Sequence, residues 1–409
     1  MAGEAVMLIL VQAEFKGFLP PRKRGPRSCS ALFNPGPPLS RGKRFGSTAS
    51  KFKGTPFSRC KVVAVAPFIL ALLLLAPLQQ VQAQAPADEL LRRVVNEVIV
   101  PGYANLVQTA EAQQAQWQSF CAAPSAEGFA SAREAYHRSA DAWSSIEIIH
   151  YGPIAEDFRG ERLSFWPERK NAVEKALKAA LANPSDTALE PAAFRKGSAG
   201  VQGLPALERL LFSEGASEAQ FTGSDEGAFR CRLGTAIAGN ILAIAREVQA
   251  GWTEGENAIV HRLAAPEIAT AAKAALATDL LGGYVLIKDK KLDPAMGKDA
   301  AGVRPKMAEG WRSGRSLRAI VLNLESTGKI LEILADVMPK RDMTALRNNA
   351  TALRVARRLN GDLGALAAGP QRRDLLLLRD AADAAGKRAF EEAPVVLGVT
   401  VGFNSLDGD

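Results

Sequence analysis

Apolar residues recur every three or four positions through most of the chain after residue 86, and short Gly- or Pro-containing segments separate these stretches. This period places apolar side chains on one helix face, so it predicts amphipathic α-helices. A strand-like run occurs at 394–403, and 283–304 are expected to form a long loop. The predicted helices cover 87–118 (with a kink at Pro101), 126–150, 167–182, 204–213, 227–252, 257–281, 305–338, 342–367 and 370–392.

Helices of this length joined by short connections are typical of antiparallel helical bundles. We therefore predict an all-α fold of two packed antiparallel helical bundles with little or no sheet. The domain is expected to span 84–409, with the first bundle at about 87–255 and the second at about 256–409.

An uncharged apolar run at 62–78 follows a basic stretch and precedes a segment of small residues and glutamines. This order is typical of a secretory signal peptide, which we predict at 62–83 with cleavage after Ala83. The alternative is a membrane anchor, but the run is short and contains two prolines. Residues 1–61 are rich in Pro, Gly, Ser and Arg, which favours a disordered extension or a start codon assigned too far upstream.

The formal net charge of +8 comes from the leader, since residues 1–83 contain 12 of the 51 basic residues and 2 of the 43 acidic ones. The remaining chain has 39 basic and 41 acidic residues and is almost neutral. It therefore lacks the positive charge that attracts nucleic acid, and we expect no nucleic-acid partner. After signal cleavage we do not expect an integral membrane protein.

Cys121 and Cys231 are the two cysteines that follow the predicted signal peptide. Two cysteines in an oxidising compartment favour one disulfide, which would join the first helix to the helix at 227–252. Two buried thiols are the alternative.

The helix predicted at 126–150 carries two ionisable residues on its apolar face. At 100° per residue, Glu147 and His150 fall on the same side as Trp143. Because buried polar groups need partners, the pair either forms a hydrogen-bonded core contact or faces a cleft between the bundles as a ligand pair.

Five segments of the chain together resemble the imelysin family and occur in that family's order. The resemblance implies two helical bundles packed side by side, a periplasmic or envelope location, a role in bacterial iron uptake and an old classification as a metallopeptidase. The segments are AWSSIEIIHYGP (142–153), RLSFWPERKNAVEKAL (162–177), VQGLPALERLLF (201–212), EGWRSGRSLRAIVLNL (309–324) and GFNSLDGD (402–409).

The family's Gly-x-His-x-x-Glu motif corresponds to Gly203, Pro205 and Glu208, so proline stands at the histidine position. Proline has no side-chain lone pair for a metal and suits the first turn of a helix, which we expect to begin at Leu204 or Pro205. Glu208 is then either a carboxylate favoured near the helix N-terminus or a metal ligand. The chain has three histidines and no HExxH pattern, so a zincin site is not predicted.

Further candidate binding residues come from the other segments that resemble the family. Arg162 precedes the FWP sequence (165–167), which contains Trp166. Arg315 belongs to a stripe with Arg312 and Arg318. Such a stripe is either a solvated face with ion pairs or a set of guanidinium groups for carboxylates or an anionic ligand. Asp407 and Asp409 form either a solvated tail or, with Glu208, an oxygen-rich site suited to iron or another divalent or trivalent metal.

We therefore expect a periplasmic binding or accessory protein of iron or haem uptake, with its ligand at the interface of two bundles. The alternatives are a metal-dependent peptidase of the imelysin type and a structural envelope protein that binds a partner protein. The proline at the motif histidine position weighs against the peptidase.

Overall fold

The computed structural model describes residues 86–400, which lie within one compact unit. Within this range every regular element is a helix and no strand is present, which confirms the all-α prediction. The predicted extension at 1–61, the predicted signal peptide at 62–83, and Asp407 and Asp409 lie outside the described residues.

The nine longest helices of the described range are labelled α1 to α9. Helix α1 (86–122) includes a π-helical turn at Val95–Ile99 followed by regular α-helix at Val100–Ala122. The others are α2 (Ala126–Ser144), α3 (Ala172–Ala182), α4 (Leu204–Phe212), α5 (Asp225–Thr253), α6 (Pro266–Val285), α7 (Ser316–Ala335), α8 (Thr344–Arg358) and α9 (Arg372–Leu397).

Short helical segments connect these helices. The α-helical ones are Arg159–Leu163, Asp186–Leu189, Pro191–Lys196, Ile259–Arg262 and Leu363–Ala368. The 3₁₀ turns are Gly152–Phe158, Ala199–Val201, Glu218–Phe221, Pro305–Met307 and Pro339–Arg341.

Three predicted helix boundaries are wrong because of local backbone conformation. Helix α2 ends at Ser144 rather than at residue 150, in a series of turns. The helix predicted from 167 begins at Ala172, since Asn171 is left-handed with φ 56°. The helix predicted from 305 begins at Ser316, after Gly314 with φ 68°. Left-handed residues cannot continue a right-handed helix.

Three further corrections concern the second half of the chain. The loop predicted at 283–304 is helical up to Met296, because a π-helical turn at Leu286–Leu292 extends α6 into Asp293–Met296. The helix predicted at 342–367 is divided near Gly361, where φ is 125°. The run predicted as a strand at 394–403 is helical as far as Leu397. Gly361 divides the helix through its own backbone conformation, whereas the local pattern does not show the π-helical turn or the continuation of α9 to Leu397.

The helices pack as two sets that meet along one seam. Helix α1 lies against α2 and α5, whereas α6, α8 and α9 pack together and α7 lies against α8. The two sets contact each other where α7 crosses α2. The predicted boundary near 255 stays a prediction.

The disulfide between Cys121 and Cys231 is formed, which confirms the predicted pairing. It joins the end of α1 to α5 across 110 residues of sequence. Beside it, the buried Trp117 Nε1 donates a hydrogen bond of 3.0 Å to the Cys231 carbonyl oxygen. Phe120 and Phe221 pack edge-on against the Trp117 ring.

One helical stretch among residues 86–400, Pro266–Met296, has the length and apolar composition that a membrane span would need. Half of its most apolar window is buried within the protein, where α6 packs against α9. Core helices have the same composition, so this finding by itself assigns no membrane role.

Gly234 on α5 is a close-packing position. A Cβ atom there would lie 1.8 Å from Cζ2 of the buried Trp117 ring. We expect Gly234→Ala to lower the free energy of unfolding by about 3 kcal/mol or more, because the ring and α5 must separate. Urea denaturation followed by circular dichroism measures this change.

Gly239→Ala, on the same helix, is the matched control, since its Cβ would approach only the flexible end of Gln114, at 3.1 Å. We expect Gly239→Ala to be neutral or to stabilise by about 0.5–1 kcal/mol, because alanine favours helix. Equal effects of the two substitutions would contradict the close contact between Gly234 and Trp117.

Candidate functional site

A cavity of about 530 Å³ lies at the seam between the two sets of helices. Its walls come from α2, α4, the loop before α3 and the segment 305–315 before α7, together with the start of α7. We call it the seam cavity. The side chains that matter below are Tyr136, Trp143, Trp166, Glu168, Arg169, Lys170, Pro205, Glu208, Arg209, Lys306, Glu309, Trp311, Arg312 and Arg315.

The motif Gly203–Glu208 begins one wall, and α4 starts at Leu204 as predicted. Gly203 allows this start because its backbone lies against the carbonyl groups of Arg162 and Leu163. A Cβ at Gly203 would lie 2.1 Å from the Leu163 oxygen. Pro205 occupies the first turn, where the missing N–H has no helical partner to lose. Pro205 lines the cavity, and Gly203 does not.

Glu208 links α4 to the segment 305–315. Its carboxylate Oε1 accepts hydrogen bonds from the Ser313 backbone N–H (3.1 Å) and hydroxyl (2.7 Å). Burial raises the pKa of Glu208, and the hydrogen bonds from Ser313 partly oppose that rise. Glu208 therefore holds a cavity wall in place, a contact between distant segments that the sequence does not reveal.

Ion pairs hold two of the arginines that line the cavity. Arg209 is paired with Glu168 from the loop that carries Trp166, and Arg315 is paired with Asp141 on α2. Asp141 also accepts a hydrogen bond from Arg318, at 3.1 Å. The predicted arginine stripe is thus divided, because Arg315 is buried, Arg318 is exposed and Arg312 stacks on Trp311.

Four of the predicted site residues line the seam cavity together: Trp166, Pro205, Glu208 and Arg315. Arg162 is buried outside its lining, where its guanidinium donates to Gln202 Oε1 (2.8 Å) and Asn240 Oδ1 (3.1 Å). These bonds attach the segment before Trp166 to α5 and to the turn before α4.

Glu147 belongs to a buried charge network next to the cavity. The Lys291 ammonium lies 3.0 Å from Glu147 Oε2 and 2.6 Å from Glu309 Oε2, and it donates to Asn323 Oδ1 at 2.7 Å. Burial disfavours the charge on Lys291, but the two carboxylates outweigh it and raise the pKa of this ammonium group. Burial and the neighbouring Glu309 raise the pKa of Glu147. We call these four residues the Lys291 network.

Sequence reasoning missed Lys291, Glu309 and Asn323. Lys291 falls in the segment predicted as a loop and belongs to the charged run 288–291, where one more lysine attracts no attention. If this segment had been assigned as a helix, Lys291 would have been expected at a buried position. A buried lysine requires acidic partners, so the assignment would have predicted nearby carboxylates.

His150 does not partner Glu147, contrary to the expected pair. Because α2 ends early, His150 lies in a segment without regular structure, with its side chain 61% exposed and outside the cavity lining. Its backbone N–H and that of Tyr151 donate to the buried Asp279 carboxylate at 2.8 and 3.2 Å. Burial raises the pKa of Asp279 to about 7, although these two hydrogen bonds oppose the rise.

The described residues around Glu208 do not fit a resident metal ion. No group of three His, Cys, Asp or Glu side chains with metal-binding proximity occurs within 86–400. Glu208 already accepts two hydrogen bonds through Oε1, and its charged neighbours include the cations Arg209 and Arg312. A cation would meet repulsion there. The predicted ligands Asp407 and Asp409 lie outside the described residues.

Substitution of Lys291 should strongly destabilise the protein. In Lys291→Met, Glu147 and Glu309 would remain buried without their shared cation, and we expect a loss of about 3–5 kcal/mol in the free energy of unfolding. Urea denaturation measures this loss. Glu147→Gln in the same background should recover part of it, and additive losses in the double variant would contradict the network.

Asp279 should make stability depend on pH. The pKa of Asp279 is about 7 in the folded protein and near 3.9 in an unfolded chain. The folded state therefore binds this proton more tightly, and its contribution to stability decreases as pH rises from about 4 to 7, by up to about 1.4 kcal/mol per pH unit. Above pH 7 the contribution is constant.

The D279N variant keeps a hydrogen-bond acceptor and does not titrate. Urea denaturation of both proteins from pH 4.5 to 8 should show the wild type losing stability relative to D279N as pH rises, up to about pH 7. Parallel stability curves over this range would show that Asp279 does not titrate there.

Known proteins similar to this chain give the site its family context. The family model described as Imelysin matches residues 99–393. A curated relative, iron-regulated protein A of Synechococcus elongatus, is 27% identical over 127 residues, which is 31% of this chain and 32% of the relative. The match thus spans about a third of that protein's length.

Two crystal structures share the fold. An imelysin-like protein from Psychrobacter arcticum superposes with a TM-score of 0.64 at 19% identity, covering 78% of this chain and 98% of its own. A putative iron-regulated protein A precursor from Parabacteroides distasonis gives a TM-score of 0.60 at 16% identity, covering 77% and 95%. Since the family model covers most of the chain and both structures share its all-helical architecture, the chain belongs to the imelysin family.

Proposed function

We propose that this protein is a binding or accessory protein of iron handling in the cell envelope, and that the seam cavity holds its ligand. The observation that carries the proposal is the meeting of four separate sequence segments around one cavity of about 530 Å³. That volume is within the range of small-molecule sites, about 300–1,000 Å³, and aromatic side chains with a few polar groups are the usual lining of such sites.

The names of relatives support the connection with iron. The curated relative is named iron-regulated protein A, and the structure from Parabacteroides distasonis is described as a putative iron-regulated protein A precursor. The proposed role in iron handling rests on family membership and on the cavity together.

Two features of the chain support the envelope location. The apolar run at 62–78 follows basic residues and precedes small ones, as in export signals. The disulfide between Cys121 and Cys231 is of the kind that persists in oxidising compartments such as the periplasm.

The test uses the full chain produced in a bacterial host grown with iron. We expect the protein in the periplasmic fraction, carrying a small molecule that native mass spectrometry detects and iron that elemental analysis detects. Trp311→Ala should lower the ligand occupancy about tenfold, because this half-buried aromatic side chain forms part of the cavity wall.

Phe390→Ala is the matched control, since Phe390 is 40% exposed on α9 and does not line the cavity. Retention in the cytoplasm would contradict the location. Equal ligand occupancy in Trp311→Ala and Phe390→Ala would contradict the assignment of the seam cavity as the ligand site.

A further inference from the structure

The seam cavity has more cationic than acidic side chains. Six lysines and arginines line it, against three glutamates. The cations are Arg169, Lys170, Arg209, Lys306, Arg312 and Arg315, and the acids are Glu168, Glu208 and Glu309.

The three glutamates are already engaged by the protein. Glu168 is paired with Arg209, and Glu309 with Lys291. Glu208 accepts two hydrogen bonds from Ser313. Glu168 and Glu309 are therefore neutralised within the protein, and Glu208 is the one lining carboxylate whose charge is not taken up by an ion pair. Arg209 and Arg315 have ion-pair partners, so four lining cations face this single carboxylate.

Two of the remaining cations converge on one aromatic ring. The Arg312 guanidinium carbon lies 4.3 Å and the Lys306 ammonium 5.5 Å from the centroid of the Trp311 ring. Neither has an acidic partner within ion-pair distance among residues 86–400. Arg312 is half-buried, and burial followed by repulsion from Arg209 lowers its pKa. Glu208 opposes this shift through its charge, but it forms no ion pair with Arg312. A partly desolvated cation without an ion-pair partner is costly, and an anion at this position would offset that cost.

Trp143 lines the cavity and is only 8% exposed, so it offers part of an aromatic ring to a ligand. Trp166, Trp311 and Tyr136 provide aromatic surface in the same lining.

We propose that the seam cavity takes an organic anion with carboxylate groups and a flat, unsaturated body, rather than a bare metal ion. Arg312 and Lys306 bind the carboxylates, and the aromatic side chains contact the flat part. This inference rests on the proposed function and names the chemical class of its ligand. A metal-free acid and its iron chelate share this chemistry, so the test separates the two.

The test uses matched probes with the full chain. Protoporphyrin IX is a flat dicarboxylate, its dimethyl ester is the same body without the charges, and haem is its iron chelate. Ferrous chloride is the metal alone. Quenching of tryptophan fluorescence measures each affinity, because three tryptophans line the cavity.

We expect protoporphyrin IX to bind at least about tenfold more tightly than its dimethyl ester, since hydrogen bonds to charged groups are strong. Arg312→Gln and, separately, Lys306→Gln should each weaken binding several-fold, and binding should weaken as salt increases. Lys306 is exposed, so its substitution leaves folding intact. Arg358→Gln removes the same charge from an exposed position outside the cavity and should change nothing.

Comparison of the affinities for protoporphyrin IX and haem shows whether the iron atom strengthens binding. Binding of either probe supports the proposal. Equal binding of the ester, or unchanged affinity in both Gln variants, would overturn it. So would tight ferrous ion binding that is lost in Glu208→Gln while the porphyrins do not bind. That last result would contradict the organic anion but leave the proposed role in iron handling intact. Protein that carries no ligand when isolated from the periplasm would instead contradict the proposed function.

Discussion

The structure depends on one buried ammonium group. Lys291, 1% exposed, is held between Glu147 after α2 and Glu309 before α7, with Asn323 on α7 as a further acceptor. Charges buried without partners cost several kcal/mol, so this contact fixes three distant segments relative to one another. Asn323 extends the constraint by donating to the Ser144 carbonyl oxygen at 2.7 Å, at the end of α2.

The shape of the seam cavity follows from this constraint. Glu309 belongs both to the Lys291 network and to the cavity lining, so the network fixes the segment that carries Trp311 and Arg312. Ser313 then binds Glu208 on α4, and Arg315 binds Asp141 on α2. Most charged groups here hold the walls together, whereas Arg312 and Lys306 have no ion-pair partner among residues 86–400.

The motif proline changes the chemistry expected of this family member. With Pro205 at the histidine position, Glu208 has no neighbouring metal ligand on α4. Its contacts with Ser313 and its cationic surroundings make it a wall residue. A cavity rich in arginine and tryptophan repels a bare metal ion. It is compatible with an iron-related role if the iron is bound within an anionic chelate.

The sequence by itself determined the helical class, the pairing of Cys121 with Cys231, the start of α4 and the family. The first three depend on local period, on the number of cysteines and on turn residues, and the family rests on the resemblance of five segments; all of these are readable along one chain. Tertiary structure alone decided that α6 extends to Met296, that His150 faces solvent and that Lys291 joins Glu147 to Glu309. The contact between Lys291 and Glu147 could be predicted only if the two charges were known to share a buried space. These residues are 144 positions apart, and their spacing along the chain does not reveal that they meet.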